Sequence, residues 1–285
     1  MSNRIDRRFD ELRARSRKGL IPFVTAGDPD PDWSATILHA LVDAGADLLE
    51  LGVPFSDPMA DGPVIQRASE RALAKGTTLA RVLAIVRDFR ATDATTPIVL
   101  MGYLNPIEIH GHARFFDAAR EAGVDGLLLV DSPVEESSAL ALELAQRGMH
   151  QVSLLSPTTS RERLERIAAA ARGFVYYVSF AGITGADRVA LADVGAQLAR
   201  IRAASGVPVA VGFGIKAPSQ AVALAANADA VVIGSALVEC LAGARDAADA
   251  AARAREFLAP YRRALDSDAG AAGLAAASDP AAALR

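Results

Sequence analysis

Two carboxylates, Glu50 and Asp61, and three glycine-rich turns have the types and spacing to do chemistry. Glu50 lies inside the apolar run 48–52, flanked by Leu49 and Leu51. In an extended strand those neighbours point to the opposite face, so the carboxyl projects alone into one layer. Burial there disfavours its ionised form and raises its pKa, as a general acid or base working near neutrality requires. A structural glutamate bonded to a neighbouring strand is the alternative. Asp57 and Asp61 follow on a loop stiffened by Pro54, Pro58 and Pro63, which could hold a second carboxylate beside the first. Solvated turn aspartates are the alternative there. Further on come Ala181-Gly182-Ile183-Thr184-Gly185, Gly212-Phe213-Gly214-Ile215-Lys216 and Gly234-Ser235. Glycines let backbone N–H groups approach an anion closely, and a following helix adds a favourable dipole. Three such turns in the last part of the chain point to a phosphate ester.

Short apolar runs recur at 20–25, 48–52, 98–101, 126–130, 152–155, 174–179, 207–211 and 230–233. They are near-continuous rather than alternating, which suits strands buried on both faces of a parallel sheet. Between them lie helical patterns, at 33–44, 78–90, 134–147 and 160–171 among others. Eight strand–helix units in about 250 residues predict an α/β fold, a closed (β/α)8 TIM barrel. The helical pattern over residues 2–17 predicts an additional N-terminal helix at the barrel's bottom. A doubly wound open sheet is disfavoured, because no G-x-G-x-x-G follows the first strand. The barrel domain is expected over 1–265. The Ala-rich tail 266–285 is expected to be poorly ordered.

The composition excludes several classes. With 30 Lys+Arg against 34 Asp+Glu the net charge is −4, which argues against a nucleic-acid partner. A single cysteine, Cys240, rules out an internal disulfide framework and fits a reducing compartment. The four histidines lack the partners a metal site needs. The charged N-terminus carries no secretory signal pattern, and no apolar run reaches membrane-spanning length. A cytoplasmic location is expected.

The segment Leu49-Glu50-Leu51-Gly52-Val53-Pro54-Phe55-Ser56-Asp57-Pro58-Met59-Ala60-Asp61-Gly62 resembles the signature of the tryptophan synthase alpha chain family. Supporting matches are Pro22-Phe23-Val24-Thr25-Ala26-Gly27-Asp28-Pro29, Met101-Gly102-Tyr103-Leu104-Asn105-Pro106, Val130-Asp131-Ser132-Pro133 and the three glycine turns. The resemblance covers about residues 5–262. It implies a (β/α)8 barrel that cleaves indole-3-glycerol phosphate to indole and glyceraldehyde 3-phosphate, a retro-aldol lyase reaction. It puts the catalytic pair on Glu50 and Asp61. Glu50 would shuttle protons between indole C3 and the glycerol hydroxyl, and Asp61 would accept the indole N–H. The expected indole pocket is Phe23, Ile65, Met101 and Leu128, with Tyr176 near the catalytic glutamate. The phosphate would rest on backbone N–H groups of Gly185, Phe213, Gly214, Gly234 and Ser235, beside Thr184. No metal or cofactor is implied on this chain. The partner would be a pyridoxal-phosphate-bearing beta chain in an α2β2 heterotetramer, facing loop 54–62 and the segment around Asn105-Pro106. Loops 54–62 and 181–191 would close over the site. Phe180 departs from the pattern, since some members carry arginine there. The rivals are another phosphate-binding barrel, a non-catalytic partner subunit, and a free-standing indole-releasing lyase.

Overall fold

The computed structural model describes residues 3–178, 188–212 and 214–277. A first helix, α1 (Arg4–Ala14), precedes β1 (Gly19–Thr25) and α2 (Ser34–Asp43). Then come β2 (Leu49–Gly52), α3 (Pro63–Ala74), α4 (Leu79–Arg90), β3 (Ile98–Gly102), α5 (Leu104–His110) and α6 (His112–Ala122). The middle holds β4 (Gly126–Leu129), α7 (Ser138–Gln146), β5 (His150–Gln151), β6 (Ser153–Leu155), α8 (Arg161–Ala170) and β7 (Val175–Val178). The last part is α9 (Arg188–Ala204), β8 (Val209–Gly212), α10 (Pro218–Ala225), β9 (Ala230–Ile233), α11 (Ser235–Leu241) and α12 (Ala247–Ala277).

The strands pair in parallel in the order β5-β4-β3-β2-β1-β9-β8-β7-β6. Its two end strands are neighbours in the chain, separated only by Val152, so the sheet curls into the expected barrel. The run read as one strand at 152–155 is therefore two short pieces. β5 pairs with β4 through Gly126↔His150 and Leu127↔Gln151, and β6 pairs with β7 through Ser153↔Val175. The change of partner at Val152 leaves a seam in the ring.

Two apolar layers form because side chains alternate across each strand. Inside the ring lie Ile21, Leu48, Val99, Leu128, Val152, Ala210 and Val232. Helix α1 closes the bottom with Ile5, Phe9 and Leu12, and the Phe9 and Phe174 rings sit 5.6 Å apart. Outside, Leu49, Leu51, Leu100, Leu127, Val209, Val211, Val231 and Ile233 pack against the helices. Tyr176 belongs to the inner layer and Tyr177 to the outer.

Three strand pairs carry the same brace at the bottom of the barrel. Asp47, just ahead of β2, accepts the Leu20 N–H at 2.9 Å; Asp125, ahead of β4, accepts that of Ile98 at 2.9 Å; Asp229, ahead of β9, accepts that of Val209 at 2.9 Å. Each carboxylate also holds a helix arginine. Arg262 lies 3.0 Å from Asp47, Arg90 lies 2.9 Å from Asp125, and Arg202 lies 3.2 Å from Asp229. The β6–β7 pair has Phe174 at the matching position and no such carboxylate. Asp229→Ala leaves the Val209 amide without its acceptor and should lower stability by about 1–2 kcal/mol, read by urea unfolding.

Two boundaries differ from the sequence expectation. The helix expected over 134–147 begins at Ser138. Residues 133–137 form a turn instead, with the Glu136 and Ser137 amides donating to the Pro133 carbonyl. Glu135 in that turn lies 3.4 Å from Arg163 and 3.5 Å from Arg166. Helix α12 continues to Ala277, past the domain end set at 265. Alanine has the highest helix propensity, and the ion pair of Asp266 with Arg17 (2.9 Å) fastens the helix where the tail was to begin.

Candidate active site

Glu50 stands on β2 opposite Phe23 of β1 and Val99 of β3, with its side chain in the inner layer and only 3% of the residue exposed. No hydrogen bond or ion pair engages it among the described residues. Burial pushes its pKa up to about 8, and the Asp61 carboxylate adds to the rise. At neutral pH it is therefore a proton donor. Tyr176 shares this interior. Burial raises its hydroxyl pKa well above the usual range, and the Glu50 charge adds to that. The absence of a side chain on Gly212 makes room for it, since a Cβ there would come within 2.5 Å of the Tyr176 hydroxyl.

Asp61 reaches the barrel mouth from the loop after β2. Its amide donates to the Pro58 carbonyl at 3.1 Å, and its own carbonyl accepts Gln66 Nε2 at 2.9 Å. The Tyr103 hydroxyl donates to Asp61 Oδ2 at 3.3 Å and accepts the Ala60 N–H at 3.0 Å. Burial raises the Asp61 pKa, and the Tyr103 hydrogen bond opposes the rise. Asp57, by contrast, is exposed, accepts the Ser56 hydroxyl at 2.5 Å and stands outside the site.

Beside Asp61 and the end of β3 lies a cleft of about 250 Å³, part of it open solvent, lined by Phe23, Thr25, Gly52, Val53, Asp61, Ile65, Ser69, Met101, Gly102 and Tyr103. A flat apolar ligand suits such walls, with Asp61 as their one carboxylate. Gly52 is required here because a Cβ would strike the Phe23 ring at 2.6 Å. Phe23, Ile65 and Met101 thus gather as expected. Leu128 is buried in the inner layer below and does not line the cleft.

Three of the expected phosphate-binding and loop residues, Thr184, Gly185 and Phe213, lie outside the described residues, as does Phe180. Gly214 has φ +73°, and Gly234 follows β9 beside Phe23, with Ser235 opening α11. The backbone amides at the start of α11 therefore sit at the same strand-end rim as the cleft.

Sequence reasoning passed over Tyr103, Thr25 and Ser69. The signal for Tyr103 was its place immediately after β3, at the end of the barrel where loops build sites. Thr25 follows Phe23 by two positions on the inward face of β1, and its Oγ1 is buried without a hydrogen bond. Tyr103→Phe removes the donor to Asp61 and the acceptor for Ala60. It should lower kcat/KM about tenfold, with unfolding stability changed by less than about 1 kcal/mol.

Two large apolar side chains are exposed near the mouth: Met59, 85% exposed on the Asp61 loop, and Ile109, 78% exposed on α5. Both stand on the segments expected to face a partner.

Known proteins resemble the chain over most of its length. A family model described as tryptophan synthase alpha chain matches residues 9–265. The tryptophan synthase alpha chain of Xanthomonas oryzae pv. oryzae is 57% identical over 267 residues, covering 92% of this chain and 98% of that protein. That of Xylella fastidiosa is 56% identical, covering 93% and 99%. The crystal structure of tryptophan synthase subunit alpha from Legionella pneumophila superposes with a TM-score of 0.87 at 45% identity, covering 94% of this chain and 100% of that one. With a family match over most of its length and relatives above half identity, the chain belongs to the tryptophan synthase alpha chain family.

Proposed function

We propose that Glu50 and Asp61 carry out on this chain the family's reaction, cleavage of indole-3-glycerol phosphate to indole and glyceraldehyde 3-phosphate. The indole ring would lie in the cleft among Phe23, Ile65 and Met101, its N–H donating to Asp61. Glu50, protonated at neutral pH, delivers its proton to indole C3. The ring nitrogen then bears positive charge, which the Asp61 carboxylate stabilises. As the C3–glycerol carbon bond breaks, its electrons return to the ring. The glycerol hydroxyl becomes the aldehyde and gives its proton to the Glu50 carboxylate, which is thereby reset. The substrate phosphate would rest on backbone amides at Gly214, Gly234 and Ser235, with Thr184, Gly185 and Phe213 completing the cradle. Tyr176 would hold Glu50's surroundings dry.

The observation that carries this reading is a buried carboxyl, held protonated near neutrality, beside a second carboxylate at the mouth of an apolar cleft. The half-reaction is proposed to run on these side chains alone, with pyridoxal phosphate on the beta chain. Family membership implies a beta-chain partner. We further propose an α2β2 heterotetramer in the cytoplasm, with exposed Met59 and Ile109 in the partner face. No helix among the described residues is long and apolar enough to cross a membrane.

The test is indole release from indole-3-glycerol phosphate by the purified chain, alone and with a cognate beta chain. Weak activity that rises on adding the beta chain supports the reading in full. High activity unmoved by a beta chain replaces the partnership with a free-standing lyase, and no cleavage in either case refutes the catalytic assignment.

A further inference from the structure

Two walls of the cleft beside Asp61 come from different elements. Phe23 and Thr25 of β1 form one, and Ile65 and Ser69 of α3 form the other. Asp61 is itself tied to α3. It lies two residues ahead of Pro63, the first of the helix, and Gln66 in the first turn holds its carbonyl at 2.9 Å. Where α3 goes, Asp61 and one wall go with it.

Little apolar packing fixes that helix. None of its residues belongs to either of the two main layers of the barrel. Its buried residues are Ala68, Ser69 and Ala72, all small. Val64, Ile65 and Ala68 join only a third, small cluster with Phe23 and Val238. Apolar stabilisation scales with the area buried, and side chains of this size bury little.

Ion pairs hold the helix instead. The loop after β1 reads Asp28-Pro29-Asp30-Pro31-Asp32, and its three aspartates meet Arg71 and Lys75 of α3 and Arg81 of α4. The pairs are unequal. Lys75 and Asp32 are exposed, and ion pairs in water contribute little. Asp28 is buried and takes a two-pronged bond, with Arg71 Nε at 2.7 Å from Oδ1 and Nη2 at 2.9 Å from Oδ2. A planar fork of this kind fixes direction as well as distance. Beside it Gly27, at φ +84°, leaves space for Thr77, just past the end of α3; a Cβ on Gly27 would lie 2.0 Å from the Thr77 hydroxyl oxygen. The far end of α3 is thus pressed against the loop after β1 and pinned there.

Asp28 stands three residues past Thr25, and Arg71 two residues past Ser69. The fork therefore ties the two walls together. From Arg71 back to Pro63 the helix runs about 12 Å at 1.5 Å per residue. A tilt at the fork is carried along that length to Ile65 and Asp61. Misplacing a reacting group by about 1 Å can cost about 10²-fold in rate.

We propose that Asp28 and Arg71 are a positioning pair, their fork setting the tilt of α3 and so the place of Asp61 against the indole N–H, on the reading given above that Asp61 accepts it.

The test is Arg71→Lys, which keeps a charge for buried Asp28 but offers a single point in place of the fork. The indole nitrogen gains its charge only after C3 is protonated. With the full chain and a cognate beta chain, kcat for indole release should therefore fall about tenfold while KM rises by no more than about threefold. The second readout is calorimetric affinity for 3-(indol-3-yl)propyl phosphate, which has no hydroxyl to become an aldehyde and is not cleaved. Arg71→Lys should weaken it about threefold, and the loss should vanish in an Asp61→Asn background, the mark of a residue acting through Asp61. Arg81→Met breaks an exposed pair of the same loop and should leave kcat within about twofold. A lowered unfolding midpoint with kcat unchanged would make the fork a structural brace and overturn the proposal. So would an equal loss of affinity in the Asp61→Asn background, or an equal fall in kcat in Arg81→Met. Wild type that binds the analogue yet releases no indole would refute the lyase reading alone, and the affinities would still decide the fork. Wild type that does not bind the analogue would overturn both.

Discussion

Glu50→Gln should lower indole release from indole-3-glycerol phosphate by about 10³-fold while leaving the barrel folded. The glutamine has the size and hydrogen-bonding shape of the protonated carboxyl but cannot give up a proton to indole C3 or take one from the glycerol hydroxyl. General acid–base groups contribute about 10²–10⁴-fold, and this one serves both transfers. KM should change little, because the ring, the N–H and the phosphate keep their contacts. With Glu50 titrating at about 8, wild-type turnover should fall as pH rises through that value, since the proton donor is lost. A variant that retains wild-type kcat, or that loses activity through KM alone, would sink the assignment.

The same residue should dominate the pH dependence of stability. A carboxyl titrating at about 8 in the folded chain and near 4.5 when unfolded binds its proton more tightly in the native state. Its contribution is fully present below pH ~4.5 and declines as pH rises, until the loss is complete above about pH 8. At about 1.4 kcal/mol per unit, wild type should lose about 4 kcal/mol relative to Glu50→Gln between pH 5 and pH 8. Urea unfolding of both proteins across that range measures the difference directly, and parallel curves would refute it. The catalytic carboxyl is thus bought with stability, as functional groups held in a hostile environment commonly are.

Much of this was readable from the chain. A glutamate between two leucines in a short apolar run states its own burial, and with it the raised pKa. The strand–helix rhythm gave the barrel, because parallel strands buried on both faces leave near-continuous apolar runs. Tyr103 escaped notice because its role depends on a loop folding back from forty residues earlier, and no local pattern encodes that return. The late start of α7 was hidden by Pro133, an acceptable first helical residue, while the pull of Arg163 and Arg166 on Glu135 is a tertiary fact. The split at Val152 likewise follows from which neighbour each half pairs with. The braces were half visible: Ala44-Gly45, Ala122-Gly123 and Ala226-Asn227 are each followed two residues on by aspartate, a spacing whose meaning appears only once Leu20, Ile98 and Val209 lie beside them.

Those braces also set a timetable. The arginine of the β3–β4 brace lies 35 residues from its aspartate, and that of the β8–β9 brace 27 residues away. The β1–β2 brace reaches 215 residues, from Asp47 to Arg262. As the chain leaves the ribosome, the β3–β4 brace can close as soon as Asp125 is free, while Asp47 has Arg17, 30 residues off, and the looser Arg8 at 3.7 Å to hold. The first pair of strands made is therefore the last to be fully locked, and its lock is turned by the final helix. A nascent chain lacking that helix holds Asp47 without its most buried partner, so the ring is sealed only when synthesis is all but finished.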